Sequence, residues 1–171
     1  KPIIGAETDL EGGYHVTLLC KNTKGYSNLC RLLTQAHLSN QGKKPQVSKE
    51  ALQQHNSGLI ALSGCSRGEL PMLLHRGKTA KAREAANCYR EIFGQDFFVE
   101  LIRCPSRDGM RDSYRLATFA KEESIPIVAT NNVHYVEMEE YTLKERDKNW
   151  PAYHFCCEGD EVQKVTKFTT M

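Results

Sequence analysis

Long apolar runs are missing from this sequence. No stretch approaches the roughly 18 consecutive apolar residues that a membrane-spanning helix needs, so no segment reads as a membrane anchor. An excess of one charge is missing too. Lys and Arg number 23 against 21 Asp and Glu, a net charge of +2 with histidine neutral, which excludes the dense basic face of a protein that coats nucleic acid. The 7 cysteines (Cys20, Cys30, Cys65, Cys88, Cys104, Cys156, Cys157) show no CxxC spacing. That argues against zinc fingers and a secreted disulfide framework, and leaves reduced thiols in a cytoplasmic protein as the expectation. There is no GxGxxG word after a strand, no Walker A loop, no GxSxG elbow and no HExxH pair. Internal repeats and low-complexity tracts are absent. The sequence begins Lys1-Pro2-Ile3-Ile4-Gly5, without an initiator Met or a targeting preamble, and the expectation is an internal slice of a longer protein.

What is present is a chain of 171 residues, 40% hydrophobic and 26% charged, a composition that folds as one medium-sized domain. Two strand-like runs, Ile3 to Glu7 and Tyr14 to Cys20, flank Gly12-Gly13 and predict a hairpin. Leu29, Leu32, Leu33 and Ala36 recur at helical spacing over Ser27 to Ser39, and Ser48 reads as the N-cap of a short helix to about Gln54. A compact strand over Leu59 to Ser63 stops at Gly64-Cys65. A helix carrying Ala82, Ala85, Ala86, Tyr89, Ile92 and Phe93 follows, with Gly94 at its C-terminal cap. Then come a strand over Phe97 to Ile102, a helix over Asp112 to Glu123 and a strand over Ile125 to Ala129. This alternation implies an α/β fold whose second half is a parallel sheet covered by helices.

In such folds, ligands gather at the carboxyl ends of the strands. Those ends carry Glu7, Cys65, Glu100, and Asn132 with His134, and His15 adds an imidazole in the second run. Carboxylate, imidazole and thiolate are the side chains that hold divalent transition metals, so a shared metal site is one reading. The plainer readings stand beside it. Glu7 reads equally as a solvated carboxylate, Cys65 as a buried structural thiol, His15 as a core hydrogen-bonding group, and Glu100 as one half of a structural ion pair. Lys78, Lys81 and Arg83, and later Arg103, Arg107, Arg111 and Arg115, interleave with Glu84, Asp108 and Asp112 as a solvated face does. His154 beside Cys156-Cys157 is read as surface or tail.

Six words of the sequence resemble one family. They are Lys1 to Glu7 (KPIIGAE), His15 to Asn22 (HVTLLCKN), Gly25 to Leu33 (GYSNLCRLL), Gly58 to Cys65 (GLIALSGC), Phe97 to Leu101 (FFVEL) and Val128 to Tyr135 (VATNNVHY). In this order, over about Lys1 to Tyr141, they resemble the PHP (polymerase and histidinol phosphatase) domain at the amino end of bacterial DNA polymerase III alpha subunits. The resemblance implies a distorted (β/α)7 barrel with metal ions at its strand ends, and here an incomplete barrel lacking its first strands. Residues 1–142 would form the partial domain and 143–171 a divergent tail.

The resemblance further places Glu7, His15, Cys65 and His134 at metal-ligand positions. Asn132 stands where the family usually has Asp. A neutral amide is a poorer ligand than a carboxylate, so this change implies a weakened metal position and leans towards the error-prone, repair-associated branch. The family's HxH motif and a further histidine precede its KPIIG word and are not in this sequence, so the implied site for divalent ions (Zn, Mn or Mg) is incomplete. The implied function is a metal-dependent phosphoesterase, 3′–5′ exonuclease-like, within a DNA-directed DNA polymerase of replication or repair. Its partners would be DNA, reached through the parent polymerase, and other replisome or repair subunits in the bacterial cytoplasm. The alternatives are a non-catalytic scaffold module of the same polymerase and a stand-alone PHP phosphatase.

Overall fold

A computed structural model describes residues 2–39, 44–102 and 107–131. The predicted positions Asn132 and His134 and the segment 143–171 lie outside the described residues. The observed order is β1 (Gly5–Asp9), β2 (His15–Cys20), α1 (Thr23–Ser39), α2 (Lys49–His55), β3 (Leu59–Leu62), α3 (Glu69–His75), α4 (Thr79–Phe93), β4 (Phe97–Ile102), α5 (Arg107–Glu122) and β5 (Ile127–Thr130). The strands form one mixed sheet in chain order, β1-β2-β3-β4-β5. β1 and β2 form the expected antiparallel hairpin, and β2 meets β3 antiparallel. From β3 onward the pairing is parallel, through β4 to β5. The fold is therefore α/β, with the parallel half where the alternation placed it.

The hairpin turn needs its glycines. Gly12 and Gly13 lie at φ +94° and +81°, a region closed to most side chains. Ile3 and Ile4 precede β1 and are half exposed, so the strand begins two residues later than the apolar run suggests. α1 begins at Thr23, four residues before its expected start at Ser27. The Asn22 side-chain oxygen accepts the Gly25 N–H at 3.0 Å and satisfies one of the free amides of the first turn. α2 starts as expected, with the Ser48 hydroxyl accepting from the Ala51 N–H at 3.1 Å.

α3 has no counterpart in the periodicity, because seven residues are too few to show a pattern. Its Pro71 sits in the first turn, where a missing N–H breaks no helical bond. Similarly, α5 extends upstream of its expected start through residues 107–111, which no apolar stripe marks.

The core lies between the sheet and these helices. Val16, Leu18, Leu59, Ala61, Phe97 and Val99 from the strands meet Leu29, Leu32, Leu52, Leu70, Tyr89 and Phe119 from the helices. Alternation explains the strand contribution, since every second residue faces inward. Tyr89 stacks on Phe97 with ring centroids 5.0 Å apart. Its hydroxyl donates to Glu69 at 3.0 Å, and Lys49 donates to the other oxygen of Glu69 at 3.0 Å. This knot ties α2, α3 and α4 together with its polar atoms paired. Burial, with the Glu69 charge beside it, pushes the Tyr89 phenol far above its usual range. The four described cysteines, Cys20, Cys30, Cys65 and Cys88, are free thiols. No helix among the described residues is long and apolar enough to cross a membrane.

α1 is fastened to the start of β3 by backbone contact. A methyl group on Gly25 would lie 1.9 Å from the Gly58 carbonyl oxygen, a distance that only displacement of the helix or the turn relieves. Gly25→Ala should therefore lower the unfolding free energy by about 2 kcal/mol or more. The exposed Ser27→Ala, on the same helix, should leave it unchanged or slightly higher. Urea denaturation of both variants checks this, and a Gly25→Ala midpoint equal to the parent's would refute the contact.

Candidate metal centre

The hairpin register sorts the side chains of β1 and β2 onto two faces. Ala6 pairs with Leu18 and Thr8 with Val16, all four buried on the core side. Glu7 pairs with Thr17 and Asp9 with His15, so these four share the opposite face. Side chains directly across an antiparallel pair touch, and diagonal neighbours come within reach of long side chains. His15 thus meets Asp9 directly and Glu7 diagonally. Its Nε2 lies 3.1 Å from Asp9 Oδ1, and its Nδ1 lies 2.9 Å from Glu7 Oε1.

Cys65 arrives from the loop after β3. Gly64 lies at φ +81°, and a methyl group there would stand 2.7 Å from the His15 carbonyl oxygen. A methyl on Gly68 would stand 2.0 Å from the Ser63 carbonyl oxygen. The loop folds tightly on itself, with the Gly68 N–H donating to the Cys65 carbonyl at 2.8 Å and the His15 N–H to the Arg67 carbonyl at 3.0 Å. These contacts hold Cys65 Sγ 3.4 Å from His15 Nδ1. The wide Gly64-to-Gly68 spacing is no phosphate cradle; it lets the loop lie against the start of β2.

Three donor atoms, from Glu7, His15 and Cys65, lie within 4.8 Å of one another. Ligands bound about 2.0–2.3 Å from one cation stand roughly 3–4 Å apart, and the 2.9 and 3.4 Å contacts around Nδ1 have that spacing. A carboxylate, an imidazole and a thiol form a donor set suited to a divalent ion, and the group fits one. Of the five sequence-predicted ligands, the structure brings these three together.

The electrostatics reflect crowding. His15 is 4% exposed. Burial alone lowers its pKa, but the contacts with Cys65 and Glu7 outweigh that and raise it from 6.5 to about 9. At neutral pH the ring is therefore an imidazolium whose Nδ1 proton lies where a cation would bind.

Two further residues of this face, Asp9 and Glu100, take places that sequence patterns alone do not assign. Asp9 carries a period-2 relation to Glu7, a signal that needed the hairpin register to be legible. For Glu100 the sequence offers a strand-end ligand or half of an ion pair with a basic neighbour. Instead, its Oε1 accepts from the Thr130 hydroxyl at 2.6 Å, and its Oε2 is buried without a hydrogen-bond partner among the described residues. Burial first, and then the charge of Glu7, raise its pKa, while the Thr130 and Thr17 hydroxyls work against the rise.

An acid whose pKa is raised by folding gives stability that is present at low pH and lost as pH climbs through the folded value. Glu100→Gln removes that loss, so in metal-free protein it should raise the denaturation midpoint at pH 7. The advantage should shrink below about pH 4.5, where Glu100 is protonated folded or unfolded. A pH series of thermal melts measures this; a variant less stable at pH 7 would mean that the carboxylate is a paired structural anion.

Comparison with known proteins gives this geometry its context. A family model for the PHP domain matches residues 1–104. An error-prone DNA polymerase from Symbiobacterium thermophilum is 40% identical over 163 residues, covering 85% of this chain and 15% of that protein. The DNA polymerase III alpha subunit of Deinococcus radiodurans is 36% identical over 140 residues, 82% of this chain and 10% of that protein. That of Escherichia coli K12 is 34% identical over 152 residues, 85% and 13% respectively. The chain thus spans only 10 to 15% of the length of these relatives. By the family match and by these alignments, the chain belongs to the PHP domain family, in the form similar to that of DNA polymerase III alpha subunits.

Proposed function

We propose that residues 1–142 form most of the PHP domain of a bacterial DNA-directed DNA polymerase of the polymerase III alpha type, with 143–171 a divergent tail. Its Glu7–His15–Cys65 cluster is then a divalent-metal centre for phosphoester hydrolysis, of the kind a 3′–5′ proofreading activity needs. The convergence of those three donors within 4.8 Å carries this reading. Helix-linked parallel strands β3, β4 and β5 support the finer architecture, a distorted (β/α)7 barrel without its first strands. The error-prone relative supports a place in the repair branch. DNA would be reached through the rest of the polymerase, alongside other replisome or repair subunits in the bacterial cytoplasm.

Glu7, His15 and Cys65 would hold the ion, with His134 as a further ligand and Asn132 assisting at most as a neutral donor. A bound divalent cation supplies Lewis acidity, polarising a phosphoryl oxygen and bringing the pKa of a bound water near neutrality. The chain's own part is to present the ligands. His15 gives up its Nδ1 proton, Glu7 contributes a carboxylate from the strand itself, and the glycine-closed loop fixes the Cys65 sulfur. Thiolate with imidazole favours zinc over manganese or magnesium. Asn132 favours a second reading, in which the domain binds metal weakly and braces the polymerase without hydrolysing anything.

Zinc titration of the full chain against a competing chelator should give about one ion per chain. Cys65→Ser should weaken zinc by about tenfold or more while leaving magnesium or manganese binding nearly unchanged. The absence of zinc binding would sink the metal centre. Zinc-loaded protein that releases no product from a phosphomonoester or from single-stranded DNA would support the brace.

Metal must also displace the proton that His15 keeps up to about pH 9. Apparent zinc affinity should therefore climb by about tenfold between pH 7 and pH 8 from this proton alone, measured by the same titration in a non-coordinating buffer. A flat profile would show that His15 is not displaced.

A further inference from the structure

The proposed metal centre uses one nitrogen of His15 and leaves the other without a role. Nδ1 faces Glu7 at 2.9 Å and Cys65 at 3.4 Å. Nε2, on the far edge of the ring, lies 3.1 Å from Asp9 Oδ1. Asp9 therefore stands behind the ligand and outside the donor set. Its other oxygen, Oδ2, lies 2.7 Å from Lys44 Nζ. The segment that carries Lys44 is itself tethered to β1, because the Val47 N–H donates to the Asp9 backbone carbonyl at 2.8 Å. Asp9 is thus held from three sides: by the strand pair with His15, by the Val47 tether and by Lys44. The His15 side chain is 5% exposed and the Asp9 side chain 14%, so little water competes for the Nε2 proton.

We propose that Asp9 is the positioning residue of the metal centre: it fixes the His15 ring by accepting the Nε2 proton bond, so that Nδ1 is the ligand atom, and Lys44 anchors its carboxylate. This rests on the metal-centre reading and adds to it a residue that no ligand set includes. A carboxylate behind a ligating imidazole does two things. It sets which nitrogen keeps its hydrogen, and it raises the basicity of the one that binds. The direct Asp9–His15 pairing in the hairpin makes the contact a property of the backbone register, independent of any loop.

The test is atom-specific. The full chain, labelled with 15N at histidine and loaded with 113Cd as a zinc substitute, should show cadmium coupling to Nδ1 of His15. The Nε2 proton should remain visible and slow to exchange. Asp9→Ala should lose that protected proton and weaken zinc by roughly 10- to 100-fold, and Asp9→Glu should recover part of the loss. Cadmium coupling to Nε2 would overturn the proposal, as would Asp9→Ala affinity equal to the parent's with the Nε2 proton still protected. The parent measurement alone is decisive should Asp9→Ala fail to fold. A parent chain that binds neither cadmium nor zinc would fell the metal-centre reading, and this inference with it. A parent that binds normally through Nε2 would fell this inference alone.

Discussion

The register of the β1–β2 hairpin is the constraint on which the site depends. Gly12 and Gly13 turn the chain in a conformation that fixes Asp9 opposite His15 and Glu7 opposite Thr17. The side-chain period of a strand is two, so a slip of one residue would exchange the faces. Val16 would then meet the acidic residues, and His15 would press into the apolar layer beneath. The hydrophobic side of the same register blocks that slip, because Ala6, Val16 and Leu18 are buried against the helices. Core and site are thus two faces of one pairing, and the packing energy of one holds the geometry of the other.

The rest of the site is brought to the hairpin by close backbone approach. Gly64 and Gly68 let the loop after β3 lie against the first residue of β2, where any Cβ would collide with a carbonyl oxygen. Gly25 and Gly58 play the same part at the other end of β3, seating α1. Glycine in these places gives up side-chain packing and conformational economy, and what it returns is proximity. β3 is consequently pinned at both ends, which fixes where Cys65 projects. At the next strand, the Glu100 N–H donates to the Ser63 hydroxyl at 2.9 Å, so the turn that carries Cys65 is also stitched to β4.

Much of this was legible in the sequence, and what was not has physical causes. The hairpin, the four expected strands beyond Gly5 and the stripe of α4 are written in period-2 and helical patterns that need no partner to be read. The choice of Glu7, His15 and Cys65 rested on ligand chemistry and on the resemblance, and the geometry unites them. α3 escaped because its seven residues owe their helix to Leu70 and Leu73 packing in the core. The extra first turns of α1 and α5 carry no apolar stripe, so periodicity says nothing of them. Asp9 escaped because its partner is defined by register, and register is a property of two strands at once. For Glu100 the sequence suggests a cationic partner, and none is found among the described residues. A carboxylate next to Leu101 and Val99 suggests a salt bridge, whereas the fold supplies hydroxyls from Thr130 and Thr17 and leaves the charge unfavourable.

Charge balance offers a reason why this cluster reads as a binding site as well as a buried network. In the protonated arrangement, the Glu7 and Asp9 carboxylates face the His15 imidazolium and the Lys44 ammonium, and the charges cancel. On the proposed reading, Glu7, His15 and a Cys65 thiolate would hold a divalent cation where the His15 Nδ1 proton now lies. The two carboxylates and the thiolate, taken with Lys44, would balance a divalent cation, so the charges would again cancel. Burying net charge is expensive, and both arrangements avoid it. A thiolate would help to neutralise a bound cation, and the sulfur is held 3.4 Å from the ring by a loop whose close approach Gly64 and Gly68 permit. Removing Asp9 from this set would leave Lys44 unmatched in both arrangements, which is why the residue behind the ligand belongs to the same electrostatic unit as the ligands themselves.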